Sequence, residues 1–396
     1  MNTAAAIRAY RGPAVFSVGL RPFFLFAALW SAVAAPLWLY AFFSGGPVGL
    51  SWHVHEMLFG YTGGVVVGFL LTAVPNWTGR LPVVGPPLAL LFGLWLAGRA
   101  AMLAMALNAE VAAAAWPAII DGLFLFAMAG VVWREVLAGR NWRNVPVAVM
   151  VTVFALANAG FHLEAGAGGV ANLSTRLGLA VVTLLIALIG GRVTPSFTRN
   201  WQARQGGPMP AVAGRFDAVT VSVTAVGLIA WSVDPAHPAS GALLLAAGGL
   251  NLIRLARWRG DATVAEPLVW ILHLGYLWLS TGLVLTGLSV AAPGLVPASA
   301  GVHALTAGAI GVMTLAIMTR ASRGHTGRPL TAGKVEVAIY VLINAAALVR
   351  VVGALSPSVY QPLLIVSAGL WSMAFLAFVI SYGPMLLSPR PDRAQA

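Results

Sequence analysis

Apolar runs of about 20 residues recur along the whole chain, and each is long enough to cross the hydrocarbon core of a bilayer. A backbone inside a bilayer must satisfy its own hydrogen bonds, so such runs form helices. Of the 396 residues, 59% are hydrophobic and only 9% are charged, whereas soluble chains carry about 25% charged residues. The sequence therefore predicts an all-α polytopic membrane protein and excludes a soluble globular fold.

The hydropathy pattern predicts twelve membrane-spanning helices. The first run is too long for a cleaved signal peptide and is interpreted as a signal anchor. We expect one integral membrane domain over residues 1–396. The predicted spans are residues 20–43, 54–76, 86–107, 114–133, 145–165, 174–192, 216–233, 238–256, 265–290, 299–319, 334–354 and 361–387.

The distribution of basic residues predicts the orientation. The formal net charge is +12, and among the 23 Lys and Arg residues only Arg99, Arg176 and Arg350 fall at helix ends that the span count assigns to the outside. This asymmetry follows the positive-inside rule and puts both termini on the cytoplasmic side. It explains the basic composition without nucleic-acid binding. The three outer arginines either snorkel to lipid headgroups or neutralise an anionic cofactor.

The chain also repeats itself. His303 follows His55 by 248 residues, and 23 residues after each of them a Thr-Gly-Arg triplet begins, at Thr78 and at Thr326. A fainter copy relates residues 193–198 to residues 73–78. We expect three parallel four-helix repeats, unlike the inverted repeats common in secondary transporters. The predicted repeats cover about residues 20–134, 145–257 and 265–387.

Two histidines and a glutamate lie at the start of the second span. Ionisable groups inside a membrane are costly and usually functional. His53 and His55 point to opposite sides of a helix, so each serves a different centre unless the helix begins after them. His53 and Glu56 share a face, where Glu56 either orients His53, binds a metal or relays protons. A His–Glu pair that caps the helix is the structural alternative.

The absence of cysteine limits the kinds of metal site. Thiolate ligation and c-type haem attachment are excluded, so a metal must be held by His, carboxylate, Met or backbone oxygen. For His273, a core histidine and a copper ligand remain open alternatives. Asp121, His162 and Glu164 also fall at the predicted outer level, where His162 is interpreted as a solvated rim residue.

His303 has the same predicted depth and repeat position as His55. Neutral imidazoles on two facing helices suit axial ligation of haem iron. Arg99 and Arg350 lie where the haem carboxylates would need cations. A satisfied core histidine is the structural alternative for His303. Which of His53 and His55 would meet the iron stays open.

The chain contains several long and distinctive motifs. They are Arg21-Pro22-Phe23-Phe24, the stretch from Trp52 to Gly60, the stretch from Gly68 to Gly79, and His303-Ala304-Leu305-Thr306 with the segment from Met318 to Arg328. Together they resemble the NnrS family. This resemblance implies a bacterial inner-membrane protein that contains haem and copper and is associated with nitric oxide and denitrification.

The predicted architecture also resembles the haem-copper oxidases and their nitric oxide reductase relatives, which have twelve helices in three four-helix sets. In that family a copper ion is held by histidines of spans 6 and 7. Spans 6 and 7 of this chain contain no His, so its copper would be held differently.

These expectations combine into one functional hypothesis. We expect a protein with haem b, and with copper, that reduces nitric oxide to N2O with electrons from membrane quinol. The alternative is a non-enzymatic protein that binds nitric oxide or a metal during nitrosative stress. The candidate residues are Glu56 as catalytic proton relay, His55, His303, His53, Arg99 and Arg350 as cofactor-binding residues, and His53, His55, His303 and His273 as metal ligands.

Overall fold

The computed structural model describes residues 10–80, 82–167 and 171–391. Within them, twelve helices are long and apolar enough to cross a membrane, which confirms the predicted number of spans. Two of the arginines assigned to the inner side, Arg8 and Arg393, lie outside the described residues. The helices are α1 (Leu20–Ser44), α2 (Leu50–Thr78), α3 (Pro86–Leu107), α4 (Trp116–Ala138), α5 (Val145–Gly166), α6 (Asn172–Gln205), α7 (Arg215–Val233), α8 (Pro238–Ala256), α9 (Pro267–Ala291), α10 (Ala298–His325), α11 (Lys334–Leu355) and α12 (Tyr360–Leu387).

The helix ends follow familiar local signals. Gly45, Gly79 and Gly206 end α1, α2 and α6 with φ angles of 67°, 71° and 66°, a left-handed conformation that glycine adopts without strain. At the start of α7, the carboxylate of Asp217 accepts a hydrogen bond from the N–H of the residue before the helix, at 3.0 Å. Glu336 does the same at the start of α11, at 2.7 Å. The chain thus satisfies backbone groups that the helix itself leaves open.

The chain forms two compact units. The first contains the residues up to Gly178, His325–Arg328 and the residues from Phe378 onward. The second contains Leu179–Gly324 and Pro329–Ala377. The boundaries fall inside α6 and inside α12. The expected single domain and its threefold repeat stay predictions.

In the part of the chain that the structure describes, three helices contain a short π-helical segment. These are Glu56–Thr62 in α2, Ile186–Gly190 in α6 and Ala304–Ile310 in α10. The first and third begin directly after His55 and His303, so the same 248 residues separate them. π segments are rare and occur frequently at functional sites. The two candidate histidines therefore lie where the helix geometry changes.

The absence of cysteine makes the orientation measurable with single introduced thiols. Met209, between α6 and α7, and Leu295, between α9 and α10, are 52% and 82% exposed. In spheroplasts we expect Leu295→Cys to react with a membrane-impermeant maleimide. Met209→Cys should react only after permeabilisation, because the positive-inside rule puts the loop between α6 and α7 inside. Gel shifts of the labelled protein provide the measurement, with detergent-solubilised samples as the control. The opposite labelling pattern would refute the predicted orientation.

Candidate metal centre

The first unit buries five ionisable side chains in one group, which we call the α2–α5 cluster. Each of four consecutive helices contributes to it. His55 and Glu56 in α2 are fully buried, and Arg99 in α3 and Asp121 in α4 are almost fully buried. His162 in α5 completes the cluster. Charges at such depth are tolerated only when they are paired and hydrogen-bonded.

Three donors from three helices hold the carboxylate of Glu56. Trp30 in α1 donates its indole N–H to Oε2 at 2.7 Å. Arg99 donates to Oε1 at 2.5 Å, and Nδ1 of His55 contacts the same oxygen at 2.9 Å. Among the described residues, Glu56 contacts His55 and not His53, although the spacing of an ordinary helix favours the latter.

The carboxylate of Asp121 is the second centre of the cluster. Its Oδ1 accepts a hydrogen bond from Nη2 of Arg99. Its Oδ2 accepts one from the side-chain amide of Asn158 at 2.8 Å and contacts Nε2 of His162 at 3.0 Å and Nε2 of His55 at 3.1 Å. Arg99 therefore bridges the two carboxylates, and both imidazoles meet on one oxygen.

His55, Asp121 and His162 form a possible metal site. One ligand atom from each lies within 4.8 Å of the others, and two imidazoles with one carboxylate are a common donor set for zinc, copper(II) and non-haem iron(II). Glu56 would then hold the other ring nitrogen of His55, as outer carboxylates do for metal-bound histidines. Both ring nitrogens of His55 face acceptor oxygens, so this imidazole is doubly protonated as described, and together with the guanidinium of Arg99 it balances the two carboxylates. A bound metal ion would replace the Nε2 proton of His55.

The π segment of α2 fits this cluster. The indole of Trp95 donates a hydrogen bond to the carbonyl of Gly60 at 2.9 Å, so a neighbouring helix satisfies a backbone group of the segment. A Cβ atom on Gly60 would collide with Nη1 of Arg99 and would lie 2.9 Å from Oε2 of Glu56. A Cβ atom on Gly98 would lie 3.1 Å from Oδ1 of Asp121. Glycine at both positions therefore allows the helices to approach the ion pairs closely.

The other predicted ligands lie outside this cluster. His53 is half-buried, and its ring stacks on Trp38 with centroids 4.1 Å apart. In the second unit, Nδ1 of His303 lies 2.7 Å from the carbonyl of Ser299. Because a carbonyl only accepts hydrogen bonds, Nδ1 carries the proton and Nε2 carries the lone pair. His303 thus has the tautomer of a metal ligand that is oriented by a backbone carbonyl.

His273, also in the second unit, is buried in α9. Its Nε2 lies 2.8 Å from the hydroxyl of Thr198, and this hydroxyl already donates to the carbonyl of Thr194. Nε2 therefore carries the proton, and Nδ1 has no hydrogen-bond partner among the described residues. Among the described residues, His273 belongs to no group of three metal-ligating side chains, so its copper ligation stays a prediction.

Three members of the site are absent from the residues predicted from the sequence: Asp121, Asn158 and His162. The interpretation of His162 as a solvated rim residue is wrong, because its side chain is 7% exposed and contacts Asp121. Asn158 lies four residues before His162 on the same face of α5, a spacing that could have indicated it. Glu164, the expected neighbour of His162, instead accepts a hydrogen bond from the backbone N–H of Ser174 at 2.9 Å.

Two glycines provide a matched test of the cluster. We expect Gly60→Ala to displace the guanidinium of Arg99 and lower the free energy of unfolding by about 1–3 kcal/mol. Gly122 lies next to Asp121, but a Cβ atom there meets nothing within 4 Å, so Gly122→Ala should keep or raise stability, by up to about 1 kcal/mol. Thermal unfolding in detergent provides the measurement. Equal effects of the two substitutions would contradict the described packing.

The sequence matches a protein-family model, and the match agrees with the resemblance of its motifs. The model describes the NnrS protein and covers residues 14–390. No curated protein matches the sequence. Because the match covers nearly the whole chain, the chain belongs to the NnrS family, and this membership suggests a membrane protein related to nitric oxide.

Proposed function

We propose that this protein is a membrane oxidoreductase that reduces nitric oxide to N2O with electrons from membrane quinol, using haem b and a second metal ion, copper. Family membership supports a role related to nitric oxide. The observation that carries the proposal is the buried donor set of His55, Asp121 and His162. A group of ionisable side chains inside a membrane protein is a functional site by default.

The donor set of the α2–α5 cluster fits a small metal ion better than a haem. Each ring nitrogen of His55 already contacts a side-chain oxygen, of Glu56 on one side and of Asn158 and Asp121 on the other. A metal ion can replace such a contact, whereas a macrocycle also needs open space beside the ring. Bound copper would supply a coordination position for nitric oxide and a place to accept an electron.

His303 is our candidate haem ligand. Its Nδ1 lies 2.7 Å from the carbonyl of Ser299, so Nε2 is the ring nitrogen that would bind an iron atom. The haem would supply one-electron chemistry. We therefore propose His303 for the haem iron and His55 for the second metal ion, with His53 kept as a further candidate ligand.

The proposed reaction needs two electrons and two protons. Two nitric oxide molecules give one N2O and one water, while the quinol is oxidised to quinone. Glu56, His55, Asp121 and His162 form one continuous chain of polar contacts. Because His55, Asp121 and His162 would hold the metal ion, Glu56 is the carboxylate of this chain that does not bind the metal. We propose Glu56 as the proton relay.

Removal of one ligand tests the metal site and the activity together. We expect His162→Ala to lower copper affinity at least about tenfold and to abolish quinol-dependent N2O formation, because only two ligands would remain. Metal analysis and gas chromatography of anaerobic reactions provide the measurements. His237→Ala is the matched control, because His237 is exposed and contacts only a local backbone N–H. A wild-type protein that leaves nitric oxide untouched in the presence of quinol would refute the proposal.

The complete burial of the cluster favours one alternative, a protein that binds nitric oxide or a metal without turnover. His55 and Glu56 have no exposed surface, and a sealed site exchanges its contents slowly. This alternative predicts a change in the haem spectrum on addition of nitric oxide, with no N2O formed. Stopped-flow spectra and gas analysis on the same sample separate the two functions.

A further inference from the structure

Arg350 is a buried cation without a described counter-charge. It lies in α11 and is 9% exposed. Its Nη2 donates a hydrogen bond to the hydroxyl of Tyr360 at 3.3 Å, and the guanidinium lies over the Tyr360 ring at 5.4 Å. Its Nη1 has no hydrogen-bond partner among the described residues, and no described carboxylate forms an ion pair with it. A buried charge left in this state is strongly unfavourable.

Arg99 shows what a compensated arginine looks like in this protein. Its two terminal nitrogens donate to Glu56 and Asp121, so the chain itself supplies the counter-charge. The sequence predicts the same two alternatives for Arg99 and Arg350, snorkelling to lipid headgroups or neutralisation of an anionic cofactor. Their surroundings differ, because of these two arginines only Arg350 has no anionic partner among the described residues.

Tyr360 provides a second donor at the same place. Its oxygen accepts the hydrogen bond from Arg350, and its own O–H donates to none of the described residues. An oxyanion at this position would receive one hydrogen bond from Nη1 of Arg350 and one from the Tyr360 hydroxyl. Charge-assisted hydrogen bonds of this kind are the strong ones.

A small apolar cluster lies beside Arg350 and reaches the neighbourhood of His303. In α11, Val351 is the residue after Arg350, and Ala354 follows one helical turn later. In α10, Ala300 lies one turn before His303, and Ala304 is the residue after it. These four residues are at most 8% exposed, so they pack α10 against α11 in the core, close along the chain to His303 and to Arg350. The cluster comprises Ala300, Ala304, Val351 and Ala354, with Trp278, Leu285 and Val296 packed against it.

We propose that Arg350 and Tyr360 bind the oxyanion of an amphiphilic ligand that reaches them at this end of α11. Two ligands carry this chemistry, a tetrapyrrole with its carboxylates and a phospholipid with its phosphate. The position of His303 favours the tetrapyrrole, and this arm of the proposal rests on the proposed function. Arg350 is then a binding residue for the ligand edge, whereas Arg99 belongs to the metal cluster.

Haem with blocked carboxylates tests the tetrapyrrole arm. We expect the full-length protein, purified without haem, to bind haem b about 10- to 100-fold more tightly than the haem dimethyl ester. In Arg350→Met this difference should disappear, and in Tyr360→Phe it should shrink. Optical titration provides the affinities. Arg176→Met, which removes another arginine from a predicted outer helix end, should keep the wild-type difference.

The stability of the ligand-free protein gives a second readout. Arg350→Met removes an uncompensated buried charge, so the melting temperature without ligand should stay the same or rise. With ligand bound it should fall below that of the wild type, because the anion loses its partner. Arg99→Met should lower the melting temperature in both states, since it leaves two carboxylates without their cation. A ligand-free Arg350→Met that melts well below the wild type would overturn the proposal.

Lipid exchange tests the other source of the anion. If the phosphate of a lipid is the ligand, phosphatidylglycerol and not phosphatidylcholine should remain bound to the purified wild type in native mass spectrometry, and Arg350→Met should lose it. The proposal would be refuted if neither esterification nor Arg350→Met changed the haem affinity and Arg350→Met also left lipid retention unchanged. The nitric oxide function would remain intact. A wild type that binds no haem would refute the haem function and leave the lipid arm to decide the inference.

Discussion

The cost of burying charge governs the structure of the first unit. A helix that crosses a membrane gains nothing from an ionised side chain unless a partner compensates it. Glu56 and Asp121 share one guanidinium, and the imidazoles of His55 and His162 converge on the same Asp121 oxygen. Each member satisfies another, so the helices α2, α3, α4 and α5 are held in one arrangement by contacts that cannot be rearranged singly.

The same cost explains why two similar arginines differ in role. Arg99 is satisfied by carboxylates of its own unit, and a ligand anion would have to compete with them. Among the described residues, Arg350 contacts the hydroxyl and the ring of Tyr360 and no carboxylate. An internal ion pair stabilises the fold, whereas a buried cation without a partner stabilises the fold only when a ligand supplies the anion.

The π segments connect local sequence to these sites. Glu56–Thr62 and Ala304–Ile310 each begin directly after a candidate histidine. In α2 the first residue of the segment, Glu56, contacts His55 rather than His53, and glycine at position 60 leaves room for the guanidinium of Arg99. The segment therefore lies within the cluster, although the helical period of the sequence does not indicate it.

The sequence alone determined the all-helical membrane fold and its twelve spans, because hydrophobic length against bilayer thickness is a local property of each run. It also indicated His55, Glu56 and Arg99 as candidate site residues, because an ionisable side chain in an apolar span is costly unless it has a function. Only the tertiary structure decided their partners. Asp121, Asn158 and His162 come from other helices, and the facing of helices depends on packing and on a π turn that periodicity does not reveal. For the same reason, the different roles of Arg99 and Arg350 follow from the neighbours of each guanidinium in space, which the sequence alone does not give.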